Sequence, residues 1–408
     1  MLINQAYTDI QKLLVISCII YLLCPLLGLF LLLISILSGC KEKRVLNTFF
    51  VLLALYMGLV NSTKIPVTDQ QMYYEAYKLV PHRSLWENLT GIYGTHGDMT
   101  TKEMGYGLLN VVGYYITLGS YPLFITVFTF ALYMLYYAAI YKWFNYIHVK
   151  KPYIYIISAV ITLTFFTQFF NITIHLQRQM IATAVIIYSI VQTIIKGKVP
   201  WILVIIGISL HTSVGLFLPL FILVSFFKRL TKKQILIIVG AFALLISSLN
   251  IIAASLLSKL GGDVYALNRL QTMGATNREE AMASGIVMLV SIPLVFISIK
   301  NISDKNQTCP ANTIILYMFY LFNIVFSAFN PDNTMQYRYF MMSYGFIPFI
   351  LPLLSRKLNL GWKIYLFVIP AFFFLRFYLT FEEIIYTYAP VEYVALGNVF
   401  TLFNYNNI

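Results

Sequence analysis

Long apolar runs alternate with short polar segments along the whole chain, and this pattern predicts a helical membrane protein. Each run exceeds the roughly 9–11 residues of a membrane β-strand and lacks a strict apolar/polar alternation, which favours helices. We therefore predict an all-α polytopic integral membrane protein, one domain over residues 1–408, with about ten full transmembrane helices. The predicted crossings are 13–37, 45–60, 121–141, 153–170, 180–195, 235–257, 285–299, 312–329, 339–354 and 364–380.

The apolar stretch 201–227 does not fit a simple crossing. Its 27 residues are too many for one span and too few for the roughly 40 that two spans need. Basic clusters lie on both sides of it, and the positive-inside rule places both in the cytoplasm. The stretch is therefore predicted to be a re-entrant helical hairpin with His211 and Thr212 at its tip. This topology puts 17 of the 28 Lys and Arg residues inside, whereas a single crossing would put 13 inside.

Two longer segments, 61–120 and 258–284, form outer loops in this topology. The first contains an apolar segment, 104–117, which we predict to be an outer interfacial helix. A full crossing there would reverse every loop that follows and lose the charge asymmetry.

Composition and charge narrow the class of protein. The chain is 60% hydrophobic and 11% charged, against roughly 25% charged residues in a typical soluble domain, which excludes a soluble enzyme domain of ordinary size. The net charge of +13 comes from basic clusters between apolar runs. Such clusters anchor helices at a membrane surface, so no nucleic-acid partner is predicted.

Ionisable residues near the outer ends of the helices are the candidate chemistry, because such residues are costly in a membrane and usually functional. Arg178 and Arg338 each open a helix from the outer side. Each is either an anion-binding guanidinium or an arginine that extends to lipid headgroups. Gln177, Gln179 and nearby His175 favour a polar pocket around Arg178.

His211 is the sharpest candidate if the hairpin is right, because a re-entrant tip is tolerated only where it is buried in protein or lines a wet cavity. An imidazole there could exchange a proton near neutral pH. The alternative is a histidine with a structural role in the core.

The first outer loop adds acids and aromatics. Asp69, Tyr73 and Tyr77 recur one helical turn apart, with Tyr74 beside them. Tyrosines at this spacing form either a sugar-binding platform or ordinary core and membrane-belt packing. Glu103 is either a buried acid at the site or the cap of the helix that follows.

The second outer loop carries Arg269 and Arg278. Either could reach an anionic ligand, and at least one is expected to be solvated. The chain has no glycine-rich phosphate loop, His-Glu-x-x-His, Cys-x-x-Cys or Asp-x-Asp motif. We therefore predict no metal and no nucleotide cofactor.

Taken together, five pieces resemble the EpsG-like members of the Wzy family, the polytopic polymerases of bacterial O-antigen, capsule and exopolysaccharide. They are Asp69-x-x-x-Tyr73-Tyr74-x-x-Tyr77, Glu103-x-Gly105-Tyr106-Gly107-Leu108, Arg178-Gln179-x-x-Ala182, His211-x-Ser213 and Arg338-Tyr339-Phe340.

The resemblance implies an enzyme of the bacterial inner membrane whose active face is periplasmic. It would transfer a growing glycan from undecaprenyl diphosphate to the non-reducing end of a new lipid-linked repeat unit. It also implies membrane lipid around the site and a partner protein that sets chain length.

The resemblance also suggests roles for the candidate residues. Arg178, Arg338 and Arg269 would bind the diphosphate, and the base would be His211, Asp69 or Glu103, with His211 preferred. The glycan would contact Tyr73, Tyr74, Tyr77 and Gln179.

Two other functions stay open on sequence grounds. A membrane acyltransferase or ligase that modifies polysaccharide could use one intramembrane histidine, but it would leave the outer arginines without a role. A lipid-linked oligosaccharide transporter or flippase should line a passage with cations through the full membrane depth, whereas the candidates here cluster on one side.

Overall fold

The structure, a computed structural model, describes residues 2–40, 42–67, 69–90, 103–227, 291–300, 311–328, 333–356, 362–385 and 387–404, with scattered positions between 233 and 289. Over these residues the fold is helical, and its one β-type pairing is an isolated bridge between Lys64 and Thr387. The helices of the first half are α1 (Leu2–Leu23), α2 (Pro25–Leu37), α3 (Lys43–Ser62), α4 (Asp69–Lys78), α5 (Leu85–Thr90), α6 (Met104–Ile116), α7 (Tyr121–Tyr146), α8 (Pro152–Thr164), α9 (Thr167–His175) and α10 (Gln177–Lys196).

The second half is more broken. Its helices are α11 (Trp201–Leu210), α12 (Leu218–Phe227), α13 (Ser291–Lys300), α14 (Ile314–Ala328), α15 (Asn333–Tyr344), α16 (Ile347–Ile350), α17 (Trp362–Leu379), α18 (Phe381–Ile384), α19 (Val391–Leu396) and α20 (Val399–Asn404). Short 3₁₀ turns occur at Val80–His82, Thr212–Phe217, Ala311–Thr313 and Leu351–Arg356.

Three helices in the described part of the chain, α3, α7 and α10, are long and apolar enough to cross a membrane, and a fourth span is present if the bent pair α8 and α9 counts as one. With a rise of 1.5 Å per residue, the 20 residues of α3 and of α10 match a hydrocarbon layer of about 30 Å. The fold is that of a helical membrane protein, as the apolar runs predicted. Six further apolar helices are shorter than a span, and the count of ten crossings stays a prediction.

The first apolar run is not the single crossing that we predicted. It is divided between α1 and α2, which fold back on each other at Cys24 and Pro25. A proline has no N–H to continue the α1 hydrogen-bond ladder and so begins a new helix. Gly28 permits the close approach, because a Cβ there would lie 2.7 Å from the backbone of both Ser17 and Tyr21.

Two more predicted crossings are interrupted. The run 153–170 becomes α8 and α9, which meet at an angle of 58°, and 339–354 becomes α15, α16 and a 3₁₀ turn. No proline or glycine marks the first break. The break instead lies at Phe165 and Phe166. Their rings pack edge-on against Phe374 and Phe373 of α17, respectively. Most of the run 235–257 and the whole loop 258–284 lie outside the described residues.

The stretch 201–227 is broken at His211, where we predicted its tip. His211 is extended (φ −158°, ψ 124°) between α11 and the 3₁₀ turn that leads into α12. The limb before it packs on α10, where Gly207 meets Ile186, and the limb after it packs on α14 through Phe217 and Phe319. The side from which the stretch enters the membrane stays a prediction.

The centre of the bundle is the pairing of α3 with α7, supported by α10. Gly58 of α3 lies so close to α7 that a Cβ there would be 2.6 Å from the Thr126 carbonyl oxygen. Outside this core, α6 carries a stripe of exposed apolar side chains at Met104, Leu108, Val112 and Tyr115. This spacing defines one helix face, which suits a helix that borders lipid.

Candidate functional site

Three distant segments of the chain bring charged side chains together at Glu103. Its Oε2 atom accepts a hydrogen bond from Arg178 Nη1 at 2.6 Å. Its Oε1 atom pairs with His211 Nδ1 and accepts a hydrogen bond from the Thr212 backbone N–H at 3.1 Å. One carboxylate therefore links the start of α6, the start of α10 and the break after α11.

Helix packing explains why Glu103 and His211 meet. Gly105 of α6 lies directly on α11, because a Cβ at that position would be 2.3 Å from Ser209 Oγ and 2.8 Å from the Ser209 carbonyl carbon. Only a residue without a side chain allows this approach. Glu103 precedes α6, but its side chain makes no capping hydrogen bond. Of the two interpretations that the sequence left open, the structure therefore favours the buried acid over the helix cap.

Two tyrosines flank the guanidinium group of Arg178. The rings of Tyr73 and Tyr106 lie 5.5 and 6.0 Å from its central carbon, within the range of a cation–π contact. Arg178 Nε also donates to the Tyr73 hydroxyl at 3.5 Å. The Tyr106 hydroxyl donates to Gln177 Oε1 at 2.7 Å, which holds that ring in place. The Arg178 side chain remains 24% exposed, so a ligand can reach it.

Opposing influences act on the pKa of Glu103. Burial raises it, but the hydrogen bond and charge of His211 and the charge of Arg178 outweigh burial and lower the pKa to about 2. Glu103 is therefore ionised at neutral pH and is a poor proton acceptor. Its geometry suits holding and orienting the imidazole of His211 instead.

A second arginine lies next to this cluster. Arg338 Nη2 is 3.7 Å from Asp69 Oδ2, and both side chains are about a third exposed. Gln179 joins the two arginine segments, since its Nε2 atom donates to the Arg338 carbonyl oxygen at 2.7 Å. The charges of Arg178, Asp69 and Arg338 all act on the Tyr73 hydroxyl, whose pKa burial raises. Tyr73 thus contacts the Arg178 guanidinium and also feels the charge of Arg338.

The predicted tyrosine platform is largely core. Tyr77 is fully buried, packs on Tyr121 and Phe124, and bonds to Thr117 Oγ1 at 2.5 Å. This environment gives Tyr77 a packing role, and its glycan contact stays a prediction. Tyr73 is also buried.

The other predicted glycan contacts differ in exposure. Tyr74 is half-buried, with Lys78 over its ring at 4.2 Å. The side chain of Gln179 is buried and bonded within the protein.

The structure thus brings together Asp69, Glu103, Arg178, His211 and Arg338, whereas Arg269 lies outside the described residues. Two contributors were not among the candidate residues. Tyr106 stood in the glycine-flanked piece that follows Glu103, which was a usable signal. The Thr212 N–H is a backbone group and leaves no trace in sequence.

The donor set does not suggest a metal site. No group of three or more His, Cys, Asp or Glu that could hold a metal ion occurs in the part of the chain that the structure describes. Both carboxylate oxygens of Glu103 already accept hydrogen bonds from donors of the protein.

Comparison with known proteins places the chain in a family. A family model described as the EpsG family matches residues 46–389, which include every element of the cluster around Glu103. No curated protein and no solved structure matches the chain. EpsG-family proteins are membrane proteins related to polysaccharide production. Because the match covers most of its length, the chain belongs to the EpsG family.

Proposed function

We propose that this protein is a polysaccharide polymerase. It transfers a growing glycan from undecaprenyl diphosphate to the non-reducing end of a new lipid-linked repeat unit. The observation that carries the proposal is the contact of Glu103 with both Arg178 and His211, beside the Arg338–Asp69 pair. A cationic pair for a leaving diphosphate and a base for an acceptor hydroxyl then lie side by side.

His211 acts as the general base in this proposal. Because Glu103 engages Nδ1, the other ring nitrogen, Nε2, is left for the acceptor hydroxyl. The acceptor oxygen forms a bond to the anomeric carbon of the donor as its proton passes to His211. The bond from that carbon to the diphosphate oxygen breaks, and the electron pair leaves with the diphosphate.

Arg178 and Arg338 stabilise the negative charge that develops on the departing diphosphate. Bidentate hydrogen bonds from guanidinium to phosphate are among the stronger polar contacts in proteins, and stabilisation of a developing charge by fixed donors is often the largest catalytic contribution. Arg338 has the looser ion pair, at 3.7 Å from Asp69, so it can exchange the carboxylate for a phosphate oxygen. Since the donor is already activated, the reaction needs neither a metal nor a nucleotide.

The proposed setting is the bacterial inner membrane, with the cluster facing the periplasm and the break at His211 as the tip of a re-entrant stretch. Both arginines and the histidine lie in one neighbourhood, whereas the far end of α10 carries Lys196 next to the basic segment before α11. A cationic site at one end of the bundle suits an enzyme of one leaflet better than a passage through both.

Gene deletion and complementation in the producing bacterium, followed by electrophoresis of the surface polysaccharide, tests this proposal. Loss of the protein should collapse the ladder to a single repeat unit, whereas loss of a flippase would remove that unit as well. Arg178→Ala and Arg338→Ala should each reproduce the collapse. Arg376→Ala is the control, since Arg376 also lies near a helix end, in the last turn of α17, and is not part of the cluster. Full ladders from both variants at normal membrane levels would refute the assigned roles.

A further inference from the structure

One face of α9, the helix that precedes Arg178 in the chain, carries two uncharged amides. Gln168 and Asn171 are three residues apart and therefore share a helix face, and Arg178 follows at the start of α10. Both amide side chains are half-buried. Their oxygen atoms, Oε1 of Gln168 and Oδ1 of Asn171, are buried and have no hydrogen-bond partner among the described residues.

Such unpaired oxygens need an explanation, because buried polar atoms in folded proteins are nearly always hydrogen-bonded. In a membrane protein, polar groups and irregular backbone are tolerated where they line a wet cavity. Helix α9 follows such an irregular point, since a 58° bend separates it from α8, and broken helices commonly build substrate sites in membrane transporters.

The backbone that carries Asn171 is firmly held. The buried Lys64 donates from Nζ to the carbonyl oxygens of Phe170 and Asn171 at 2.9 and 3.2 Å, and its ammonium group lies 4.2 Å from the centre of the Phe170 ring. The helix that presents the two amides is thus fixed in position before any ligand binds, which lowers the entropic cost of binding.

We propose that Gln168 and Asn171 form a subsite for the hydroxyl groups of an uncharged sugar ring in the lipid-linked oligosaccharide. This inference rests on the proposed function. An amide offers both a donor and an acceptor, as a sugar hydroxyl does, and neither side chain carries a charge. Asn171 precedes Arg178 by seven residues, across the break at Leu176 between α9 and α10.

The test measures sugar binding without the diphosphate. The probe is the repeat-unit oligosaccharide, released by mild acid from lipid extracts of cells that lack the gene, and titrated against the full chain in lipid nanodiscs. Gln168→Met and Asn171→Leu remove the amides with little change in volume. Each variant should weaken binding about fivefold to tenfold, the contribution of one hydrogen bond. Because the lost oxygens have no partner in the protein, the thermal midpoint without ligand should stay unchanged or rise.

Gln192→Met is the matched control. Gln192 is buried on α10, and its Nε2 atom also has no partner, but it lies about 20 Å beyond Arg178 along the axis. Its variant should bind the oligosaccharide like the wild type.

The outcomes separate this inference from the proposed function. Three results would each overturn the subsite: unchanged affinity in the Gln168 and Asn171 variants, a lowered thermal midpoint of these variants without ligand, or no binding by the wild type. Each would do so even if cells that carry the wild-type gene make a normal ladder. A further outcome is that binding weakens in these two variants alone while deletion of the gene leaves the polysaccharide ladder unchanged. That pair of results would support the subsite and refute the proposed polymerase function.

Discussion

Replacing Glu103 by Gln keeps the size of the side chain and removes the negative charge between Arg178 and His211. The carboxylate accepts hydrogen bonds on both oxygens, from Arg178 on one and from Thr212 on the other. An amide has one oxygen and one NH₂ group, so it can serve only one of these sides. The variant therefore leaves either the guanidinium or the His211 segment without its acceptor.

The expected cost in stability follows from the pKa of Glu103. It falls from an ordinary value of 4.5 to about 2, and at about 1.4 kcal/mol per pKa unit this corresponds to about 3–4 kcal/mol. Removal of one partner from a buried ion pair costs about 3–5 kcal/mol. Because Arg178 is 24% exposed, water replaces part of the lost interaction, and we expect about 3 kcal/mol. Thermal unfolding of the purified protein in nanodiscs measures this difference.

The same substitution should slow glycan transfer. A positioned general base contributes on the order of 10²–10⁴-fold to a rate, and loss of the Glu103 contact frees His211 to leave the required orientation. The ladder should shorten to one or a few repeat units at normal membrane levels of the protein. Glu75→Gln is the control, because Glu75 lies in the same segment, 61–120, and pairs with Gln71. A full ladder from Glu103→Gln, with an unfolding midpoint equal to that of Glu75→Gln, would refute the pairing.

Two further predictions follow from the same geometry. Since the pKa of Glu103 is lowered in the folded state, its ionic stabilisation is present above about pH 4.5 and is lost as the pH falls through about 2. The difference in unfolding midpoint between wild type and Glu103→Gln should therefore shrink as the pH falls from about 4.5 to about 2. A difference that stays constant over this range would contradict the assignment. Gly105→Ala should destabilise the protein by about 1–3 kcal/mol and shorten the ladder, because the new Cβ collides with Ser209. Gly215→Ala, which meets nothing within 4 Å, should do neither, and equal behaviour of the two variants would exclude close packing of α6 on α11.

The apolar runs predicted the helices that depend on local composition. Helices α3, α7 and α10 appear where the sequence placed long runs of apolar residues, because such a run satisfies its backbone in lipid only as a helix. The position of the break at His211 and the helix that begins at Met104 also follow from the sequence. Arg178 and Arg338 were marked as candidates by their charge and by their position at the start of a predicted helix.

Tertiary contacts decided the breaks in the helices and the partners within the site. Phe165 and Phe166 end α8 because their rings pack against α17, and no local residue signals that end. The sequence could not tell whether Glu103 or Asp69 holds His211, because the Glu103–His211 contact joins residues 108 positions apart and the Glu103–Arg178 contact spans 75. Hydropathy is a property of neighbouring residues along the chain. These ion pairs instead join residues far apart in sequence, which meet only when α6 packs on α11.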